Sequence, residues 1–251
     1  MKISSVIITL NEEFHIERCL KSLTGVVDEV IIVDSGSIDN TQKIAESYSF
    51  VKFVKKDWEG YSKTKNYGNE LVKFDWILSI DADEALSSEL QQSILELKNK
   101  KNQELCVYEF NRITNYCGQW IRYAGWYPDK KQRLFPKNYA KWQGDFVHEI
   151  LVFQIPVRFL KGDLLHYSYQ NFIQHKEKTL KYAHLHAQQL SIQGKKFNYF
   201  KQYFSTFFVF FKMYFLKLGF LEGKLGWKLC WISAWGAYKK YEILKKLIEK
   251  S

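Results

Sequence analysis

The chain has 251 residues, 46% of them hydrophobic and three of them proline, which excludes a disordered protein and allows one large domain or a domain with an appendage. Its net charge of +10 is concentrated at one end: residues 172–251 carry 15 Lys, no Arg and four Glu, leaving the first 171 residues close to neutral. Lysine without arginine lacks the bidentate fork that favours phosphate reading, so the charge points to an anionic membrane surface rather than to nucleic acid.

The first hundred residues alternate apolar strands with amphipathic helices. Val6-Ile7-Ile8 is a buried-strand run, and Ile16, Leu20 and Leu23 mark a helix over 13–23. Glu29 to Asp34 is the second strand, Thr41 to Tyr48 a helix, and Phe50 to Val54 a short third strand. A helix over Tyr61 to Val72 leads to a fourth strand, Trp76 to Ile80, and a further helix spans 87–99. Continuously apolar strands between helices predict a mostly parallel sheet covered on both faces, an α/β fold.

From about 105 to 167 short strands are expected, among them Val107 to Phe110, Gln132 to Phe135 and Val157 to Leu160. Beyond 172 the chain reads as helical. Cys19, Cys106, Cys117 and Cys230 show no C-x-x-C spacing and read as free thiols in a reducing compartment. The apolar run at the start is too short for a signal peptide, so a cytoplasmic location is expected.

Chemistry is expected at the carboxyl ends of the strands, where open α/β sheets bind ligands. Two of those ends are acidic: Val33-Asp34-Ser35-Gly36-Ser37-Ile38-Asp39-Asn40-Thr41 and Ile80-Asp81-Ala82-Asp83-Glu84. Neither G-x-G-x-x-G nor a P-loop pattern occurs, which argues against dinucleotide oxidoreductases and P-loop NTPases. Two carboxylates two residues apart on a turn suit a ribose hydroxyl and a hard divalent cation, Mg2+ or Mn2+, held mainly by substrate phosphates.

Thr9-Leu10-Asn11-Glu12, Val33-Asp34-Ser35-Gly36-Ser37 with Asp39 and Thr41, and Asp81-Ala82-Asp83-Glu84 together resemble the three N-terminal motifs of family 2 glycosyltransferases. Lys65-Asn66, Trp76-Ile77-Leu78, Arg133-Leu134-Phe135, His148-Glu149 and Gly219-Phe220-Leu221-Glu222-Gly223 extend the likeness to the lipopolysaccharide core β-1,4-glucosyltransferase subgroup. The resemblance implies a GT-A fold: a catalytic domain over 1–170, its donor half 1–100 and acceptor half 101–170, with a helical extension over 171–251.

It also implies roles. Thr9, Asn11, Glu12 and Asp34 would hold the nucleoside of a UDP-sugar, UDP-glucose first, and Asp39 would buttress that loop or simply cap the turn. Asp81 would face the ribose or the metal, Asp83 would ligate the metal, and Lys65 and Arg133 would serve the nucleotide sugar. His166 is the late histidine expected in the metal shell, with His148 as the alternative. The base position holds His148-Glu149 where the family usually has Glu-Asp, so Glu149 is taken as the base and Asp145 as its runner-up. The expected reaction is inverting hexosyl transfer to a lipid-linked saccharide such as lipopolysaccharide inner core. Polyprenyl-phosphate or capsule-precursor transfer, and a non-catalytic nucleotide-sugar binder, are the alternatives.

The C-terminal third holds the remaining signal. Phe200, Phe204, Phe207, Phe211, Tyr214 and Leu218 follow one helical stripe. In a second helix from Lys224, Lys224, Lys228, Lys239 and Lys246 share a sector with Trp231 and Trp235. The longest apolar run, Phe204 to Phe211, is far short of a span. Peripheral attachment to the inner leaflet is expected, against the plainer reading that these aromatics pack on the catalytic domain. Gly226 and Gly236 argue against one unbroken helix, and His175, His184 and His186 are expected to face solvent.

Overall fold

A computed structural model of the protein describes residues 1–101, 104–144 and 149–249. The chain forms two compact units, one from residues 1–112 and 129–167, the other from 113–128 and 168–251. The division is not a single cut: the segment Ile113–Pro128 belongs with the C-terminal helices.

In the first unit, β1 (Ile3–Thr9), β2 (Glu29–Asp34), β3 (Val51–Lys55) and β4 (Trp76–Asp81) form the parallel part of the sheet, in the order β3-β2-β1-β4. These strands alternate two apolar faces. Ile7, Ile32, Leu78 and Ile80 pack with α1 (Ile16–Leu23) and α4 (Ser88–Asn99) through Leu20, Leu23, Leu90 and Ile94. Val6, Ile31, Val33 and Ile77 form the other face, covered by Val72 and by Tyr67 and Leu71 of α3 (Tyr61–Leu71). Each fully buried aliphatic side chain contributes roughly 1.5–3 kcal/mol, so both faces hold the strands in register. The small helix α2 (Thr41–Glu46) follows the loop after β2.

The rest of the sheet combines both directions. The strands β5 (Glu84–Leu86), β6 (Val107–Tyr116), β8 (Asp129–Pro136) and β11 (Val157–Tyr169) continue it in the order β4-β8-β6-β11-β5, and β7 (Gln119–Ile121) pairs with β6. The pairs β4–β8, β8–β6, β6–β7 and β11–β5 are antiparallel, whereas the amides of Val107 and Cys117 donate to the carbonyls of Pro156 and Tyr169 in the same chain direction, so β6 and β11 run parallel and the sheet is mixed. Two of these strands, β6 and β11, are long where short ones were expected, and β9 (Ala140–Gln143) with β10 (Ile150–Phe153) makes a separate hairpin.

One close approach sets the site. A Cβ added at Gly68 would lie 2.5 Å from Val6 Cγ1 and 3.1 Å from Val33 Cγ2. Glycine lets the α3 backbone rest on β1 and β2, and Lys65, one turn earlier on the same helix, is carried inward with it.

In the second unit, α5 (Phe172–Ile192), α6 (Tyr199–Phe211), a π-helical turn (Lys212–Leu216), a 3-10 turn (Gly219–Glu222) and α7 (Gly223–Glu249) follow one another. Contrary to the expectation from its glycines, α7 is unbroken. A Cβ at Gly236 would meet Thr179 Cγ2 at 2.3 Å, and one at Gly226 would meet the Gly219 carbonyl oxygen at 2.0 Å. These glycines are contact points where neighbouring backbone and side chains press on the helix, not breaks in it.

His175 also departs from expectation. His184 and His186 are exposed, but His175 is buried with Nδ1 2.6 Å from the Tyr116 hydroxyl, between the rings of Trp126 and Tyr169. Burial, followed by the charge of Lys178, pushes its pKa down to about 4, so it is a neutral core residue at pH 7. All four cysteines are free thiols.

Candidate active site

Thr9, Asp34 and Asp81 end three adjacent parallel strands, with Thr9 opposite Asp34 and Ile8 opposite Asp81. The loops beyond them are stitched together by side chains. Asn11, at φ 55°, accepts from the Ile38 amide at 2.9 Å, and its own amide donates to Ser37 Oγ at 2.8 Å. Asp34 is fully buried and accepts from the Gly36 and Ser37 amides at 3.0 and 2.9 Å. Asp39 accepts from the Thr41 amide at 3.0 Å and the Glu13 amide at 3.1 Å. Burial opposes ionisation of Asp39, but the bonds from Thr41 and Glu13 outweigh it and hold its carboxyl below the usual range. The Glu12 amide donates to Thr41 Oγ1 at 2.8 Å. Asn11 and Asp39 thus build the loops, while Thr9 Oγ1 and Ser35 Oγ stay buried without a hydrogen-bond partner at the same edge. Orphaned buried hydroxyls are costly in an empty fold and are what a ligand would satisfy.

The second acidic segment bends between β4 and β5. Asp81 lies 3.0 Å from Lys65 Nζ through one oxygen and 3.0 Å from an Arg133 guanidinium nitrogen through the other. Its carboxyl is held well below the usual carboxylate range: burial works against this, and the charges of Lys65 and Arg133 overcome it. Glu84, fully buried, accepts from the Asp81 amide at 2.9 Å and pairs with Arg112 at 3.1 Å and Arg133 at 3.3 Å. Arg112 reaches on to Asp129 at 2.8 Å.

Lys65 is no solvated surface lysine. It is 1% exposed, 4.7 Å from the Trp142 ring centre, and its second carboxylate partner is Glu149 at 3.2 Å. The hairpin bearing Trp142 is fixed to α3 by a reciprocal pair: Asn66 Nδ2 donates to the Trp142 carbonyl at 2.8 Å, and the Trp142 amide donates to Asn66 Oδ1 at 3.0 Å. Lys65, held with Asn66 on α3, therefore pairs with Glu149, 84 residues further on, as well as with Asp81. Asp145 and His148 lie outside the described residues.

Asp83 stands beside His166, Oδ2 to Nε2 3.2 Å, and the Tyr167 amide donates to the Asp83 carbonyl at 2.9 Å. His166 sits opposite Glu84 in the β11–β5 pairing. His15, before α1, feels the Asp83 charge, but burial dominates and lowers its pKa. Both oxygens of Asp81 face cations, while Asp83 and His166 stand together at the same edge and could hold a metal. Among the described residues no cluster of three or more His, Cys, Asp or Glu forms a complete metal cage. One carboxylate and one imidazole fit a Mg2+- or Mn2+-type ion that keeps waters and takes substrate phosphates for its remaining positions. The charge balance agrees. Asp81, Glu84, Glu149 and Asp129 face Lys65, Arg112 and Arg133, and Asp83 stands beside His166, so an incoming diphosphate would add negative charge to a site already rich in carboxylates.

Residues 4–155 match the family model of glycosyl transferase family 2. The chain belongs to that family. An uncharacterized glycosyltransferase of Rickettsia typhi is 35% identical over 210 residues, covering 80% of this chain and 72% of the relative. The lipopolysaccharide core biosynthesis glycosyltransferase LpsC of Rhizobium meliloti is 29% identical over 207 residues, covering 80% of this chain and 76% of LpsC. Among solved structures, Staphylococcus aureus TarS 1–349 in complex with UDP-GlcNAc aligns at TM-score 0.49 and 15% identity, over 100% of this chain and 91% of TarS 1–349. The mixed sheet flanked by helices is the GT-A fold of this family 2 glycosyltransferase.

Glu84, Arg112, His15 and Trp142 of this glycosyltransferase were not assigned roles from sequence. Glu84 had a signal, its place in the acidic motif. Arg112 and Trp142 had none, because only the later strands of the sheet and the hairpin bring them in.

Proposed function

We propose that the chain transfers a hexose, with glucose the first candidate, from a UDP-sugar to a lipid-linked saccharide, inverting the anomeric centre to a β-glycoside. The observation that carries this is the placement of Asp83 with His166 at the strand edge where Asp81, neutralised by Lys65 and Arg133, meets Glu149. The name of the LpsC relative supports a lipopolysaccharide-core acceptor.

In this reading the unpartnered hydroxyls of Thr9 and Ser35 and the loops built by Asn11, Asp34 and Asp39 receive the nucleoside. Arg133 and Lys65 fix Asp81 as an anion toward the ribose side. Asp83 and His166 would hold a divalent cation, which offsets charge on the departing diphosphate. Glu149 accepts the proton of the acceptor hydroxyl as its oxygen bonds to the anomeric carbon. The bond from that carbon to the diphosphate oxygen breaks on the opposite face, so an α-linked donor yields a β-linked product. Lys65 positions Glu149 for this step.

A donor screen with UDP-glucose, UDP-galactose and UDP-N-acetylglucosamine tests the proposal, using membrane extract as acceptor and Mg2+ or Mn2+ added or chelated. Metal-dependent UDP release with one preferred donor, strengthened by the extract, is the expected result. Turnover indifferent to chelation, or no turnover with any UDP-sugar, would refute it.

A further inference from the structure

The helix α6 is amphipathic in the wrong sense for a soluble protein. Its buried position is polar: Gln202 is 4% exposed and its Nε2 donates to the Tyr238 carbonyl of α7 at 3.3 Å. Its outward face is aromatic: Phe200 is 74% exposed and Phe207 65%. At about 100° per residue, Phe200, Phe204, Phe207 and Phe211 fall within about 60° of one another, one continuous stripe. Neighbouring rings along it stack on each other, Phe200 on Phe204 at 5.6 Å and Phe207 on Phe211 at 5.9 Å. The stripe runs on through the following turns to exposed Phe215, Phe220 and Trp231. Contiguous exposed aromatic surface of this extent marks an interaction face.

Charge selects the partner. Between residues 195 and 241 the chain has nine lysines and one acidic residue, Glu222. Glu222 is buried, its carboxylate taken by the Arg122 and Tyr123 amides at 2.7 and 2.9 Å and by Gln119 at 3.0 Å. Lys201, Lys212, Lys217, Lys224 and Lys228 are exposed beside the aromatics. A face of exposed rings with cationic flanks and no exposed carboxylate between residues 195 and 241 complements an anionic lipid interface: rings enter the headgroup–acyl boundary and ammonium groups meet phosphates. No single helix among the described residues is long and apolar enough to cross a membrane, and the α6 and α7 segments that pass only as a pair are bent by 74°. That geometry suits lying on a bilayer rather than a single straight span.

We infer that the outer face of α6, with the turns after it, is a docking surface for an anionic phospholipid bilayer. The inference is independent of the donor and acceptor assigned above, because its test needs neither. The full chain is sedimented with vesicles of phosphatidylethanolamine containing about one-third phosphatidylglycerol, and with phosphatidylcholine vesicles, at low and at about 0.5 M salt. The chain should partition onto the anionic vesicles at least tenfold more strongly than onto the neutral ones, with most of the binding lost in high salt. The variant Phe200→Ser/Phe204→Ser/Phe207→Ser should bind roughly tenfold or more weakly, since it removes exposed rings and no core volume. Lys201→Gln/Lys212→Gln/Lys217→Gln, which spares the rings, should lose the preference for anionic lipid while keeping the wild-type thermal unfolding transition. Equal binding to both vesicle types, or wild-type binding by both variants, would overturn the inference. So would a wild-type dimer that the Phe→Ser variant dissociates without any vesicle binding, since the face would then belong to a second copy.

Discussion

Replacing Asp83 by alanine should lower kcat for transfer at least about 1,000-fold, roughly 4 kcal/mol of transition-state stabilisation, while leaving the fold intact. The fold should survive because Asp83 is on a bend at the end of β4, its side chain is one-quarter exposed, and its carbonyl rather than its carboxylate accepts from Tyr167. What is lost is the oxygen that, in the proposed reading, would hold the cation with His166. Steady-state transfer assays with saturating Mn2+, paired with thermal unfolding, check this. Near wild-type kcat in a folded variant would remove Asp83 from the chemistry. An Asp81→Ala variant would be a poorer probe, because it strands Lys65 and Arg133 as buried, partly unpaired cations and risks the fold.

The second large effect concerns the base. Glu149→Gln should reduce kcat by about 100- to 10,000-fold with little change in donor KM, because an amide keeps the shape and cannot take the acceptor proton. Structure should be preserved, since Lys65 keeps Asp81 as its counter-ion when Glu149 becomes neutral. If Glu149→Gln transfers normally and Asp145→Asn does not, the base is Asp145.

The parallel half of this fold was legible because its strands are buried on both faces, and such strands announce themselves as unbroken apolar runs ending in Asp34 and Asp81. The later half was less so. Half-exposed strands such as β9 and β10, and the three-residue strands β5 and β7, carry too few residues for a period to register. The site divides in the same way. Asp34, Asp81 and Asp83 are strand-end residues and could be read locally. The Lys65–Glu149 pair could not, because it depends on Asn66 docking a hairpin 76 residues further on. The resemblance placed Lys65 at the nucleotide sugar, but its burial under Trp142 was not legible in the sequence.

Burial reversed two expectations in the C-terminal unit. His175 lies on a helix with exposed His184 and His186, yet Tyr116, Trp126 and Tyr169 enclose it. Gly226 and Gly236 looked like helix breakers, yet each lies where a neighbour comes too close for a methyl group. Both outcomes follow from contacts between elements distant in sequence, which local propensity does not encode. The aromatic stripe of α6 was visible as a period, but the period alone does not say which way it faces. Buried Gln202 does.

The proposed activity requires the acidic strand edge to bind a nucleotide through a cation. Calorimetric titration of UDP into the wild-type chain and into Asp83→Ala, with Mn2+ present and with chelator, tests this most directly. Tight binding by the wild type only with Mn2+, and weakening of at least tenfold both on chelation and in the variant, is the predicted result. UDP binding of equal strength in all four titrations would contradict it.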